Sequence, residues 1–142
     1  MLQLFAVIYT PVSRTIFLDC FNQLGIRDDQ GRLLNSNLLR PYLDTLLQVN
    51  LLIQGRGQGP QCHPLLVEIA TRDAVQSQRF EAMAKAVQEK NPIPFAWKNG
   101  PHQFRSEAQL MREVRIGLYR QDIPFIKKQL EDYHRYSYHR ES

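Results

Sequence analysis

The sequence predicts a mainly α fold with one small β-hairpin and a helical hairpin near its end. Three observations predict it. Apolar residues recur at helical spacing through most of the chain. The one glycine-dense stretch, "LLIQGRGQGPQCHP", joins two short runs suited to strands. Past the proline-rich break "KNPIPFAWKNGPH", two amphipathic segments come with only "RQD" between them. With 142 residues and 43% hydrophobic content, the chain suits one compact domain, or one small domain with an appendage.

Each element has a local cause. Residues 2–9, "LQLFAVIY", suit a short helix or, through Val7, Ile8 and Tyr9, a strand. Pro11 disfavours helix at Thr10, and Ser13 is an N-cap for a second helix. Ile16, Phe17, Cys20, Phe21 and Leu24 line one face of that second helix, and Gly25 stops it. "RDDQGR" is a turn. Asn35 or Asn37 caps the third helix, with Pro41 in or near its first turn. Leu39, Tyr42, Leu43, Leu46 and Leu47 form its apolar face.

Gly55, Gly57, Gly59 and Pro60 break helix too often to continue it, so "LLIQ" and "PQCH" read as a two-stranded hairpin. A helix starting at Pro64 is expected to run on to about residue 90, carried by Phe80, Met83, Ala84 and Val87. A loop spans residues 91–101. A helical hairpin is expected over 102–138, with Asp122 capping its second helix. Leu110, Met111, Val114 and Leu118 form the apolar face of one helix, and Ile123, Ile126, Leu130 and Tyr133 lie on one face of the other.

The order helix, helix, turn, helix, hairpin, helix resembles a winged helix-turn-helix domain over residues 1 to about 76. The segments carrying the resemblance are "PVSRTIFLDCFNQLGI", "NSNLLRPYLDTLLQVNLL" and the wing "IQGRGQGPQCH". Residues 77–142 would be a helical extension. In such domains the third helix commonly meets the major groove and the wing touches backbone or minor groove. The resemblance therefore implies a nucleic-acid-binding set of Asn35, Ser36, Asn37, Arg40, Gln48 and Arg56. Arg105, Arg112, Arg115, Lys127 and Lys128 would supply a supporting basic surface.

Charge argues the other way. Residues 1–75 hold six basic and six acidic groups, so the net +4 arises wholly in residues 76–142. Duplex binders collect several phosphate contacts, and here two cations face Asp44, with Asp28 and Asp29 in the preceding turn. Winged helices also serve as protein-docking modules.

Other signals are weaker. Cys62–His63 lacks the further ligands zinc needs nearby, and the pair suits the end of a wing strand. Cys20 and Cys62 read as buried thiols of a reducing compartment, and the expected location is cytoplasmic. "GRGQG" lacks the Lys–Ser/Thr of a phosphate-binding loop. Phe95 and Trp97, next to Lys98, are expected to anchor the proline-rich loop on the core. The tail "YHRYSYHRES" interleaves aromatics with basic groups, a pattern that also suits single-stranded nucleic acid. Its tyrosines Tyr133, Tyr136 and Tyr138 would pack on a helix outside this chain, so a larger multidomain protein is expected, of bacterial ATPase or transcription-regulator type. No catalytic constellation, cofactor, metal, small-molecule substrate or membrane segment is expected. The expected function is an accessory recognition domain that docks a protein partner or a second copy, with duplex DNA as the alternative partner.

Overall fold

The structure, a computed structural model, describes residues 1–136; Tyr138, His139 and Arg140 of the tail lie outside these described residues. Its helices are α1 (Leu2–Ile8), α2 (Arg14–Gln23), α3 (Ser36–Gln48), α4 (Val67–Gln76), α5 (Phe80–Lys90), α6 (Glu107–Arg120) and α7 (Ile123–Tyr136). Strands β1 (Leu52–Gln54) and β2 (Pro60–Cys62) come after α3, and a 3-10 turn at Pro64–Leu66 leads into α4. The fold is mainly α with a small antiparallel sheet after the third helix, a layout compatible with a winged helix. The chain divides into two compact units, Met1–Asn91 and Pro92–Ser142.

The first unit is built around α1. The opening segment is a helix, and Leu4, Phe5, Ala6, Val7 and Ile8 are all buried. A helix that is apolar all round belongs in the middle of a core, and α1 packs on α4, α5 and β2. Phe5 meets Phe17 of α2 at 4.2 Å between ring centroids and Phe21 at 6.2 Å. Ser13 Oγ accepts from the Ile16 N–H, as a cap should. Asn35, rather than Asn37, caps α3, its Oδ1 accepting from the Leu38 N–H at 2.9 Å. Pro41 is the sixth residue of α3, a turn deeper than the sequence suggested. It lacks the N–H that the Asn37 carbonyl would otherwise accept from.

The wing pairs Leu52 with Cys62, Ile53 with Gln61 and Gln54 with Pro60. Gly59 holds the wing close to the segment before α2. A Cβ there would sit 1.9 Å from the Val12 carbonyl oxygen, so only glycine allows this approach.

The expected long helix from Pro64 to about 90 is two helices. Arg79 N–H bonds Ala74 O and Gln78 N–H bonds Val75 O, with Gln78 left-handed at φ 61°. That is a Schellman stop without the usual glycine. The break turns α5 back onto α1 and α2, so α5 belongs to the first unit and the units divide after Asn91, not near residue 76.

In the second unit Ile93, Phe104 and Leu110 form a small core, with Val114 and Tyr133 against it. α6 and α7 form the expected hairpin, and the Asp122 carboxylate caps α7 through the Phe125 N–H. The faces they bury differ from the expected ones. Met111, Leu118, Ile123 and Leu130 are exposed, while Arg112, Glu113, Arg115, Gln129 and Asp132 are buried. Gly117 explains the rotation. A Cβ there would lie 2.7 Å from Ile126 Cγ1 and 3.0 Å from Phe125 Cδ2, so α7 docks on the glycine notch of α6. The inward faces carry polar groups, and hydrogen bonds engage Gln129, Asp132 and the Arg112 Nε–H.

Candidate functional site

The residues singled out on α3 and the wing fall in three places. Asn35, Ser36, Asn37 and Arg40 cluster on the first turns of α3, all exposed. Asn35 has its side-chain oxygen committed to the cap. Gln48, exposed at the far end of α3, lies about 16 Å along the axis from Asn37 at ~1.5 Å per residue. Arg56 is exposed at the wing tip.

The turn before α3 closes against its first half. Asp28, Asp29, Arg32, Asn37, Leu38, Pro41, Tyr42 and Thr45 line one cleft of about 320 Å³. Asp28 is held there by the Arg32 N–H at 2.7 Å, by the Arg32 guanidinium at 2.8 Å and by the Gln30 N–H at 3.0 Å. These contacts, the Arg32 N–H first, keep its carboxyl below the usual carboxylate range. Arg27 is likewise engaged within the loop, on the Gly31 carbonyl at 3.1 Å. The cleft thus brings two carboxylates to the helix end that would have to approach phosphate.

A second surface of the first unit has no signature in the sequence. Met1, Leu2, Gln3, Leu51, Leu66, Ile69, Ala70, Asp73 and Arg79 line an open hollow of about 450 Å³. Ile69 on its rim is 64% exposed, and the neighbouring Leu65 is 80% exposed. Gln3 donates to Asp73 at its edge. An isolated exposed leucine is ordinary, but exposed Leu65 and Ile69 beside an apolar hollow make a patch. The helical periodicity of α4 hides it: Val67, Ala70, Thr71 and Ala74 already account for the buried face, and Ile69 is surplus to it.

His63 has a structural part. Its Nδ1 accepts from the Leu65 N–H at 3.1 Å and caps the 3-10 turn. Cys20 and Cys62 are both buried free thiols. Among the described residues no group of three or more His, Cys, Asp or Glu side chains is placed to hold a metal ion, and no helix is long and apolar enough to cross a membrane.

In the second unit the expected basic surface is only partly a surface. Arg105, Lys127 and Lys128 are exposed. Arg112 and Arg115 are buried, and Arg112 Nε pairs with Glu113 at 3.0 Å. They are structural groups of α6, because the docking of α7 turns them inward. Lys128 pairs with Asp132 at 3.0 Å. The Asp132 carboxylate also accepts the His102 N–H at 2.9 Å, and His102 Nδ1 lies 2.9 Å from Gln129 Oε1. This network pins the proline-rich loop to α7. Ile93 and Phe104 anchor the loop in the core, while Phe95 and Trp97, both 57% exposed, pack outside it on His102 and Tyr136.

Comparison with family models, with curated proteins and with solved structures finds no match.

Proposed function

We propose that the first unit is a winged-helix docking module, non-catalytic, that grips a protein partner through the hollow beside α4 and not duplex DNA through α3 and the wing. The observation that carries this reading is the convergence of Leu2, Leu51, Leu66 and Ile69 on one hollow, where Gln3, Asp73 and Arg79 supply polar groups. An apolar centre with a polar edge is the anatomy of a protein interface. The face of α3 supports it by contrast. Arg40 and Arg56 stand against Asp29 and Asp44, all exposed, and in the cleft at the helix start Asp28 and Asp29 outnumber the one cation, Arg32, which is paired with Asp28. The occupant is an apolar anchor, a Leu, Ile, Met or Phe side chain presented on a partner's helix or turn.

The test is selection of displayed peptides on the full chain, with counter-selection on Ile69→Asp. Ile69 is exposed, so the substitution leaves the fold intact. Peptides with a shared apolar anchor that lose binding to Ile69→Asp support the reading. Selection that yields none, or peptides indifferent to Ile69→Asp, overturns it. A labelled duplex gives the opposing check. Salt-dependent duplex binding abolished by Arg40→Ala with Arg56→Ala would establish DNA contact by α3 and the wing instead.

A further inference from the structure

The second unit carries a surface that docking at the α4 hollow leaves unused. Two sequence features that stand 39 residues apart, the proline-rich loop and the aromatic end of α7, meet there: Trp97 contacts Tyr136 edge-on at 5.4 Å between centroids. The loop is a rigid hairpin, not a slack linker. Ala96 N–H bonds Pro101 O at 2.8 Å, Gln103 N–H bonds Pro94 O at 2.7 Å, and Gly100 N–H closes the tip on Trp97 O at 2.9 Å. Phe95 lies stacked on the His102 ring, 4.8 Å away and tilted by 29°. His102 is itself fixed by Gln129 and Asp132. The Trp97 indole is seated on Gly100, where a Cβ would come within 2.6 Å of Nε1. Burying two such rings is the ordinary outcome, and here both are held in place with more than half their surface in water.

The exposed charge of this unit is net positive. The second unit holds nine basic and six acidic groups in sequence. Lys98, Arg105, Lys127, Lys128 and Arg135 are exposed, against exposed Glu107, Asp122 and Glu131, and Lys98 is next to Trp97 in sequence. Four of the acids are engaged: Asp132 with Lys128 and the His102 backbone N–H, Glu113 with Arg112, Asp122 with the Phe125 N–H, and Glu107 with the Tyr133 hydroxyl. Glu131 and Asp122 stay exposed on α7 and its cap.

We propose that this face binds single-stranded nucleic acid, with bases stacking on Phe95 and Trp97 and the backbone drawn by Lys98 and by the net positive exposed charge of the unit. Preset aromatic faces beside exposed cations are the elements by which proteins hold single strands without reading sequence. A duplex keeps its bases stacked on each other and offers these rings nothing to stack on. An acidic peptide would satisfy the cations but leave the aromatic faces without a partner.

The chain has one tryptophan, so Trp97 fluorescence reports this face alone. The experiment titrates the full chain with a short oligothymidylate, with the same sequence in duplex and with polyglutamate. The expected result is saturable quenching by the single strand that weakens as salt is raised. Phe95→Ala is expected to weaken it about tenfold, the loss of one stack. Lys98→Glu, fully on the surface, weakens it without touching any packed group. The absence of quenching at low salt overturns the proposal, as does quenching by duplex or by polyglutamate that equals the single strand's. So does a folded Phe95→Ala or Lys98→Glu chain that binds as the parent does. Because Trp97 belongs to the second unit, these outcomes are independent of docking at Ile69.

Discussion

Helix ends show how single residues shape this chain. α2, α3, α4 and α6 all close with the same paired bonds, through Gly25, Asn50, Gln78 and Gln121 in left-handed conformation. Glycine and asparagine adopt that conformation readily; glutamine does not. This is why Gly25 could be read as a stop and Gln78 could not, and why α4 and α5 looked like one helix. Gln78→Gly is expected to stabilise the fold by up to about 1 kcal/mol, seen as a higher urea midpoint at unchanged slope. Gly59→Ala should act in the opposite sense. Its methyl meets the Val12 carbonyl, which is backbone and cannot swing aside, so a loss of about 2 kcal/mol is expected in the same assay. Asp28 gives the turn before α3 an acid sensitivity. Its folded carboxyl titrates below the unfolded value, so its contribution is present above about pH 4 and is lost as pH falls through the folded value. Asp28→Asn should flatten that acid limb, measured by circular dichroism against pH.

At the scale of elements, the sequence was legible where packing obeys the apolar pattern. The caps Ser13 and Asn35, the Gly25 stop, the wing hairpin and the hairpin of α6 with α7 could all be read from local chemistry. It was illegible where a close approach overrides the pattern. The apolar stripes Met111–Leu118 and Ile123–Leu130 suggested inward faces, yet Gly117 sets the contact and turns Gln129 and Asp132 inside. Nothing in periodicity gives more weight to one glycine than to the row of apolar residues beside it. Gly117→Ala is expected to cost about 1–3 kcal/mol by crowding Phe125 and Ile126, with loss of amide protection concentrated in α6 and α7.

At the scale of the whole chain, charge was the informative bulk property. Near-neutrality of the first unit, with nine basic and eight acidic groups over residues 1–91, argues against duplex binding without any geometry. The structure adds Asp28 and Asp29 lining the cleft that also holds Asn37 of α3. The hollow at Ile69 was not legible, because it is made by segments distant in sequence: the start of α1, the residue Leu51 after α3, the 3-10 turn and α4. The proposed recognition surface of the first unit is that hollow. Its most direct test is the affinity of a selected apolar-anchored peptide, by calorimetry, for the parent chain, for Ile69→Asp and for the Arg40→Ala, Arg56→Ala pair. The expected result is a loss of tenfold or more at Ile69→Asp, about 1.4 kcal/mol or above, with the arginine pair binding as the parent does. Unchanged affinity at Ile69→Asp, or a loss confined to the arginine pair, would contradict it and return the recognition surface to α3 and the wing.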